Sequence, residues 1–289
     1  MATAEGRQMP TTEGRQMATT DTEALRGHEG RARDVLAAAH RIAAYDGLAE
    51  GTWNHFSLML DPSRMLITPS DHHWSLIDGD SLVLAAGEDD ARARGLQFLI
   101  GYRIHQPLHD VRPDAACVLH AHPPYATALS LLDQPELIPA SQMSVSFAGR
   151  TAYNDRYDLI GGADGQGDRI AGALGDKDVL LLRGHGVIVV GPTVEAAYLD
   201  LYMFELACRS QVLAMSTGAT LRPMGAIEVA ELTAGGPGHE QEAKEEAHRH
   251  FAAMRELVDP AYSESSTASA IRRPSAPRAA LVRTAAPRR

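Results

Sequence analysis

His120-Ala121-His122 is the strongest chemical signal in this sequence. In an extended strand, residues i and i+2 face the same side, so these two imidazoles can grip one divalent metal ion. A zinc or iron ion needs at least one further ligand. His185 suits that role because Gly184 and Gly186 flank it, and glycines let the backbone turn sharply and project an imidazole into a cleft. The alternative is that these are ordinary polar residues at strand ends. Pro123-Pro124 directly after the pair, and the Gly-His-Gly turn, weigh toward the metal. The other histidines rank lower. His72 and His73 are adjacent and diverge. Between His105 and His109 stands Pro107, which is expected to break any shared helix face. His248 and His250 fall in a charged, solvated helix near the end.

The elements that must position these residues can be read from periodicity. A buried strand is predicted through Cys117–His122, stopped by Pro123-Pro124. A second runs from Val179 to Arg183, turns at Gly184-His185-Gly186 and returns as Val187–Val190. Thr193 is a natural N-cap for a long helix from Val194 to about Met215, with Gly218 just past its end. Upstream, a helix from about Gly30 to Tyr45 shows one apolar face (Val35, Leu36, Ala39, Ile42, Ala43), and Gly47 is a plausible stop. His55–Leu60 and Met65–Thr68 form a hairpin about Asp61–Arg64, and a strand spans Ser81–Ala85. Phe98–His105 reads as a helix ended by Pro107, and Tyr125–Leu132 and residues 167–175 as short helices. A last charged helix covers His239–Val258 after the loop Gly235–Gly238. Helices and hairpins alternate without a regular βαβ beat, which predicts an α/β domain with a mostly antiparallel sheet covered by helices. No glycine-rich phosphate loop of P-loop or dinucleotide type is present.

With 289 residues, 44% of them hydrophobic, the chain suits one domain with unstructured ends. Residues 1–28 read as a disordered leader, in which Glu5–Met9 recurs as Glu13–Met17. Two short copies are too few for a repeat architecture. Residues 29–262 form the metal-binding domain, and the Ala/Pro/Ser/Arg-rich residues 263–289 a disordered basic tail. No apolar run reaches the roughly eighteen residues of a membrane helix, and no secretory signal opens the chain, so cytoplasmic residence without a membrane partner is expected. The formal charge of −10 argues against a nucleic-acid partner, which needs a concentrated basic face. Cys117 and Cys208 read as small buried side chains in a reducing compartment.

The sequence resembles the class II aldolase/adducin family from about Arg33 to Leu213. The resemblance rests on ordered pieces: Gly51-Thr52-Trp53-Asn54-His55-Phe56-Ser57, Leu66-Ile67-Thr68-Pro69-Ser70, Arg112-Pro113-Asp114, Val118-Leu119-His120-Ala121-His122-Pro123, and Leu182-Arg183-Gly184-His185-Gly186. Gly191-Pro192-Thr193 and a helix containing Glu205 follow. The resemblance implies a three-layer α/β/α class II aldolase-like fold, metal ligation by His120, His122 and His185, and a homotetramer.

The departures bear on activity. The glutamate that serves such aldolases as metal ligand and acid/base, four residues before the helix histidine matched by His105, is replaced by Gly101. Their phosphate-binding serines are replaced by Leu99 and Ile100, which cannot solvate a phosphate dianion. Retro-aldol cleavage needs a base and a Lewis acid; the Lewis acid survives and the expected base does not. A three-histidine metal with open positions parallels the facial triad of non-haem iron oxygenases. In its lost glutamate, its apolar replacement and its Ala/Arg-rich composition the chain resembles the family branch of aminocoumarin-pathway oxygenases. That resemblance implies an iron(II) dioxygenase that takes O2 as co-substrate and converts a prenylated 4-hydroxyphenylpyruvate, an aromatic 2-oxo acid, through a mandelate to a hydroxybenzoate. Trp53, Asn54, Trp74, Leu99, Ile100, Gly101 and His105 are the expected substrate-binding residues. The alternatives are a zinc- or manganese-dependent aldolase, lyase or epimerase acting on a hydroxy acid or sugar, and a non-catalytic adducin-like interaction module.

Overall fold

A computed structural model of the chain describes residues 12–96, 99–157, 165–234, 238–259 and 262. In chain order the elements are α1 (Thr12–Tyr45), β1 (His55–Asp61), β2 (Arg64–Ile67), β3 (Val83–Ala85), α2 (Glu88–Ala93), α3 (Ile100–Val111), β4 (Cys117–Ala121), α4 (Pro124–Ser130), α5 (Gln142–Val145), β5 (Thr151–Asn154), α6 (Gln166–Leu174), β6 (Val179–Leu182), β7 (Gly186–Gly191), α7 (Val194–Met215), α8 (Ala226–Thr233) and α9 (His239–Val258). The strands form one sheet in the order β3-β2-β1-β4-β7-β6-β5. Every neighbouring pair is antiparallel except β5 with β6.

Strand alternation sorts the core into two layers. Phe56 of β1, Leu119 of β4, Val189 of β7 and Leu181 of β6 face α1, α4, α7 and α9. Val118, Ile188 and Leu180, one residue out of phase, face α3 and α6. The result is the three-layer α/β/α domain with a mostly antiparallel sheet that the sequence predicts. Among the described residues no helix is long and apolar enough to cross a membrane.

Two of the predicted helices have other bounds than the sequence suggests. Helix α1 begins at Thr12, not near Gly30, so much of the segment expected to be a disordered leader is helical. Its composition permits this, because Glu13, Arg15, Gln16, Met17 and Ala18 are all good helix formers. The start of that leader, residues 1–11, and the expected tail, residues 263–289, lie outside the described residues. Helix α3, for its part, does not stop at Pro107 but runs through it to Val111. A proline inside a helix frees the carbonyl four residues earlier and crowds it. Here that carbonyl belongs to Arg103 and is covered by Gly167 of α6, where an added Cβ would lie 2.1 Å from the Arg103 oxygen and 2.8 Å from Pro107 Cγ. Helix α3 therefore keeps His105 and His109 on one face, one turn apart.

Several buried histidines make stability depend on pH. His40 of α1 is fully buried, its ring nitrogens 2.8 Å from the Leu36 carbonyl and 2.7 Å from Thr68 Oγ1. Burial pushes its pKa down to about 3. The unfolded chain takes up the proton near pH 6.5, so below that value acid favours unfolding. His40 alone is expected to remove about 1.4 kcal/mol of stability per pH unit between 6.5 and its folded pKa. Denaturant titrations at pH 7 and pH 5 check this, and a His40→Gln variant should show a shallower decline.

Candidate metal centre

The antiparallel ladder β1-β4-β7-β6 brings the chemistry to one end of the sheet. His120 sits on β4 opposite Ile188 of β7, and His122 lies just past the strand, where Pro123 ends the ladder. His185 occupies the β6–β7 turn, which Gly184 closes with φ of 61°. Glu205 of α7 fixes the chain after the histidine pair by accepting the Tyr125 and Ala126 amides, 2.8 Å each, at the start of α4.

One ligand nitrogen from each of His120, His122 and His185 falls within 4.8 Å of the other two. The Nε2 atoms of His120 and His122 are 3.2 Å apart. Two nitrogens each 2.0–2.1 Å from a tetrahedral zinc would be about 3.3 Å apart, so the pair fits one ion. Their protonation also fits. His120 Nδ1–H donates to the Val187 carbonyl at 3.1 Å, and His122 Nδ1–H donates to the Glu50 carboxylate. Both Nε2 lone pairs are thereby left for a ligand role. Burial, then neighbouring imidazoles, hold His120 well below the usual histidine range and lower His185 to about 4. Near neutral pH both rings are thus in the deprotonated form that metal binding requires.

Glu50 is invisible to motif reading because it lies 72 residues from His122. Removing the charge from a carboxylate that orients a ligand histidine typically costs 10–100-fold in metal affinity. Glu50→Gln is therefore expected to weaken metal binding about tenfold or more with little change in folding stability, as read by competition with a chelating dye.

Beside the three histidines opens a cavity of about 580 Å³. The sequence-predicted residues Asn54, Leu99, Ile100 and Gly101 line it, and so does Trp53, which is 69% exposed at the rim. Two predicted substrate-binding residues are elsewhere. Trp74 is a core residue, stacked edge-on against His40 and Phe56 on the far side of the sheet. His105 is fully buried behind the cavity wall, where its Nε2 meets His55 Nδ1 at 2.8 Å. Ile67, Leu96 and Ile104 extend the apolar lining, and among the described residues no Asp or Glu contributes to it. Two buried polar atoms of wall residues lack a partner, Asn54 Nδ2 and Gln166 Oε1.

Gly101 has a steric meaning here. A Cβ at this position would lie 3.0 Å from Cγ and 3.1 Å from Cδ2 of His55. The imidazole of His55 thus fills the space that a side chain at 101 would need. His55 also stands directly across the β1–β4 ladder from His120, with ring centroids 4.8 Å apart.

Comparison with known proteins gives a consistent picture. The sequence model of the family described as Class II Aldolase and Adducin N-terminal domain matches residues 34–212. A putative aldolase class 2 protein of Caulobacter vibrioides is 32% identical over 205 residues, 68% of this chain and 79% of that protein. Among solved structures, an aldolase II superfamily protein from Pseudomonas syringae aligns with a TM-score of 0.71 at 30% identity, over 81% of this chain and 94% of its own. L-fuculose 1-phosphate aldolase from Glaciozyma antarctica shares the fold, with a TM-score of 0.69 at 24% identity over 89% and 96% of the two chains.

Proposed function

Because the chain belongs to the class II aldolase and adducin N-terminal domain family, we propose that it is a metal-dependent lyase. Its substrate is a small hydroxylated carbonyl compound, received by a cavity whose walls are mostly apolar and which Arg92 and Arg103 also line. The observation that carries this reading is the convergence of three imidazole nitrogens on one point at the edge of a cavity with largely apolar walls. A divalent ion held there, zinc in the first instance, supplies Lewis acidity to a substrate oxygen.

The chain's own residues divide the remaining work. His120, His122 and His185 hold the ion, and Glu50 orients His122. Leu99, Ile100 and Ile104 line the cavity and exclude water from it. Proteins of this family are often oligomers, and a homotetramer is the assembly we adopt.

An iron(II) dioxygenase acting on an aromatic 2-oxo acid is the second reading. Its specific support is Gly101, which leaves three neutral ligands and open coordination positions. The names carried by the Caulobacter relative and by both solved neighbours favour aldol chemistry. The test is to prepare the protein with zinc, manganese or iron(II) and to assay 4-hydroxy-2-oxo acids bearing aryl or alkyl ends. Zinc-dependent release of aldehyde without oxygen is the expected result. Oxygen uptake with 4-hydroxyphenylpyruvate on iron only, with no aldehyde release on any metal, would replace the lyase with the dioxygenase.

A further inference from the structure

Behind the metal cavity, outside the triad, three more imidazoles and a hydroxyl form a continuous hydrogen-bonded chain. His55 Nδ1 lies 2.8 Å from His105 Nε2, and His105 Nδ1 lies 2.6 Å from Ser57 Oγ. Ser57 Oγ lies 2.8 Å from His109 Nε2, and His109 Nδ1 lies 3.2 Å from the carbonyl oxygen of Ala115. Three elements build it. His55 and Ser57 share one face of β1, His105 and His109 share one face of α3, and Ala115 precedes β4. It exists because α3 continues through Pro107.

The direction of every bond in this chain is fixed from one end. A carbonyl oxygen can only accept, so His109 carries its proton on Nδ1. A neutral His109 then has a lone pair at Nε2, which must receive the Ser57 hydroxyl proton. With its proton committed, Ser57 Oγ accepts from His105 Nδ1–H. His105 Nε2 is therefore an acceptor, and His55 must donate to it from Nδ1. His55 is left with its lone pair on Nε2. Burial keeps the intervening rings neutral, with His109 lowered to about 4 and His105 well below its ordinary value. Nε2 of His55 has no part in the chain, and the ring lines the cavity beside His120.

We propose that this relay, anchored at the Ala115 carbonyl, locks His55 in its Nδ1–H tautomer, so that His55 Nε2 accepts a hydrogen bond from a substrate hydroxyl next to the metal. His55 thereby occupies the space at Gly101 and supplies an acceptor where the cavity wall has no carboxylate. His105, Ser57 and His109 are positioning residues that act through it. The proposal narrows the substrate class to compounds with a free hydroxyl beside the metal-binding oxygen. That narrowing rests on the metal-centre reading, whereas the tautomer does not.

Two measurements on the full chain test it. Long-range 1H–15N correlation spectra of the imidazoles, recorded with and without zinc, should show His55 protonated at Nδ1 and bare at Nε2. Ser57→Ala should abolish that single state while the far-ultraviolet circular dichroism is unchanged. Glycolate and acetate are then titrated into the cobalt(II)-loaded protein and followed by the visible spectrum. His55→Asn keeps a donor near the Nδ1 position and removes Nε2. It is expected to bind one cobalt per chain with an unaltered ligand-free spectrum, to lose about tenfold in glycolate affinity, and to bind acetate as before. A His55 found as the Nε2–H tautomer, an equal loss for both anions, or a changed ligand-free cobalt spectrum (His55 as a ligand) would each overturn the proposal. If no cobalt binds, the metal reading and the hydroxyl-acceptor role fail together, and the metal-free spectra still decide the relay.

Discussion

His122→Ala is expected to reduce bound metal from one ion per chain to a trace, and to remove any metal-dependent activity with it. Structural zinc sites contribute roughly 10–16 kcal/mol of apparent binding energy spread over four ligands. One ligand therefore accounts for about 3 kcal/mol or more, which is on the order of 100-fold to 1000-fold in affinity. The fold should tolerate the change, because His122 lies past the end of β4 and its Nδ1 bond goes to the exposed carboxylate of Glu50. Metal analysis after dialysis against a weak chelator, with thermal unfolding in parallel, separates the two effects. A variant that retained stoichiometric metal would remove His122 from the ligand set. A variant that failed to fold would be replaced by His122→Asn, with the same expected loss of metal.

Gly186→Ala should damage stability and metal site together. Gly186 opens β7 opposite Leu182, and its missing side chain lets the β4 backbone pass close by. A Cβ there would lie 2.5 Å from the Ala121 carbonyl oxygen and 2.6 Å from His122 Cδ2. Neither obstacle can yield cheaply, since one is strand backbone and the other the ring of a proposed ligand. Overpacking of this kind costs about 1–3 kcal/mol, and displacement of His122 should lower metal affinity as well. Gly172→Ala in α6 is the control. Nothing lies within 4 Å of the added methyl, and the change should stabilise the helix by up to about 1 kcal/mol. Urea titrations of the two variants should therefore move in opposite directions.

Much of this architecture is legible in the sequence because the signals are local. The His120–His122 spacing is a strand period, the glycines around His185 mark its turn, and Thr193 caps α7, where its Oγ1 accepts the Ala196 amide at 3.2 Å. The long helices α7 and α9 begin and end where their patterns say. What escaped reading depends on contacts distant in the chain. Pro107 looks like a stop until Gly167, sixty residues on, is seen to cover the Arg103 carbonyl. Trp74 looks like a cavity aromatic, but His40 and Phe56 bury it. The short α2, α5 and α8 carry too little pattern to be found, and β5 enters only by pairing parallel with β6. The relay had a local signature on each side: His55 and Ser57 two apart on a strand, His105 and His109 four apart on a helix. Only the assumption that Pro107 separates the second pair concealed it.

The contact between Gly101 and His55 also constrains how this site could change over generations. A side chain at position 101 would press on the His55 ring, so Gly101→Glu arising first would require that ring to shift. The reverse order is open only if His55 shrinks beforehand, which would strip the cavity of its non-ligand imidazole before any replacement arrived. The two positions are therefore sterically coupled, so a larger residue at 101 is expected to come with a change in the position or identity of residue 55.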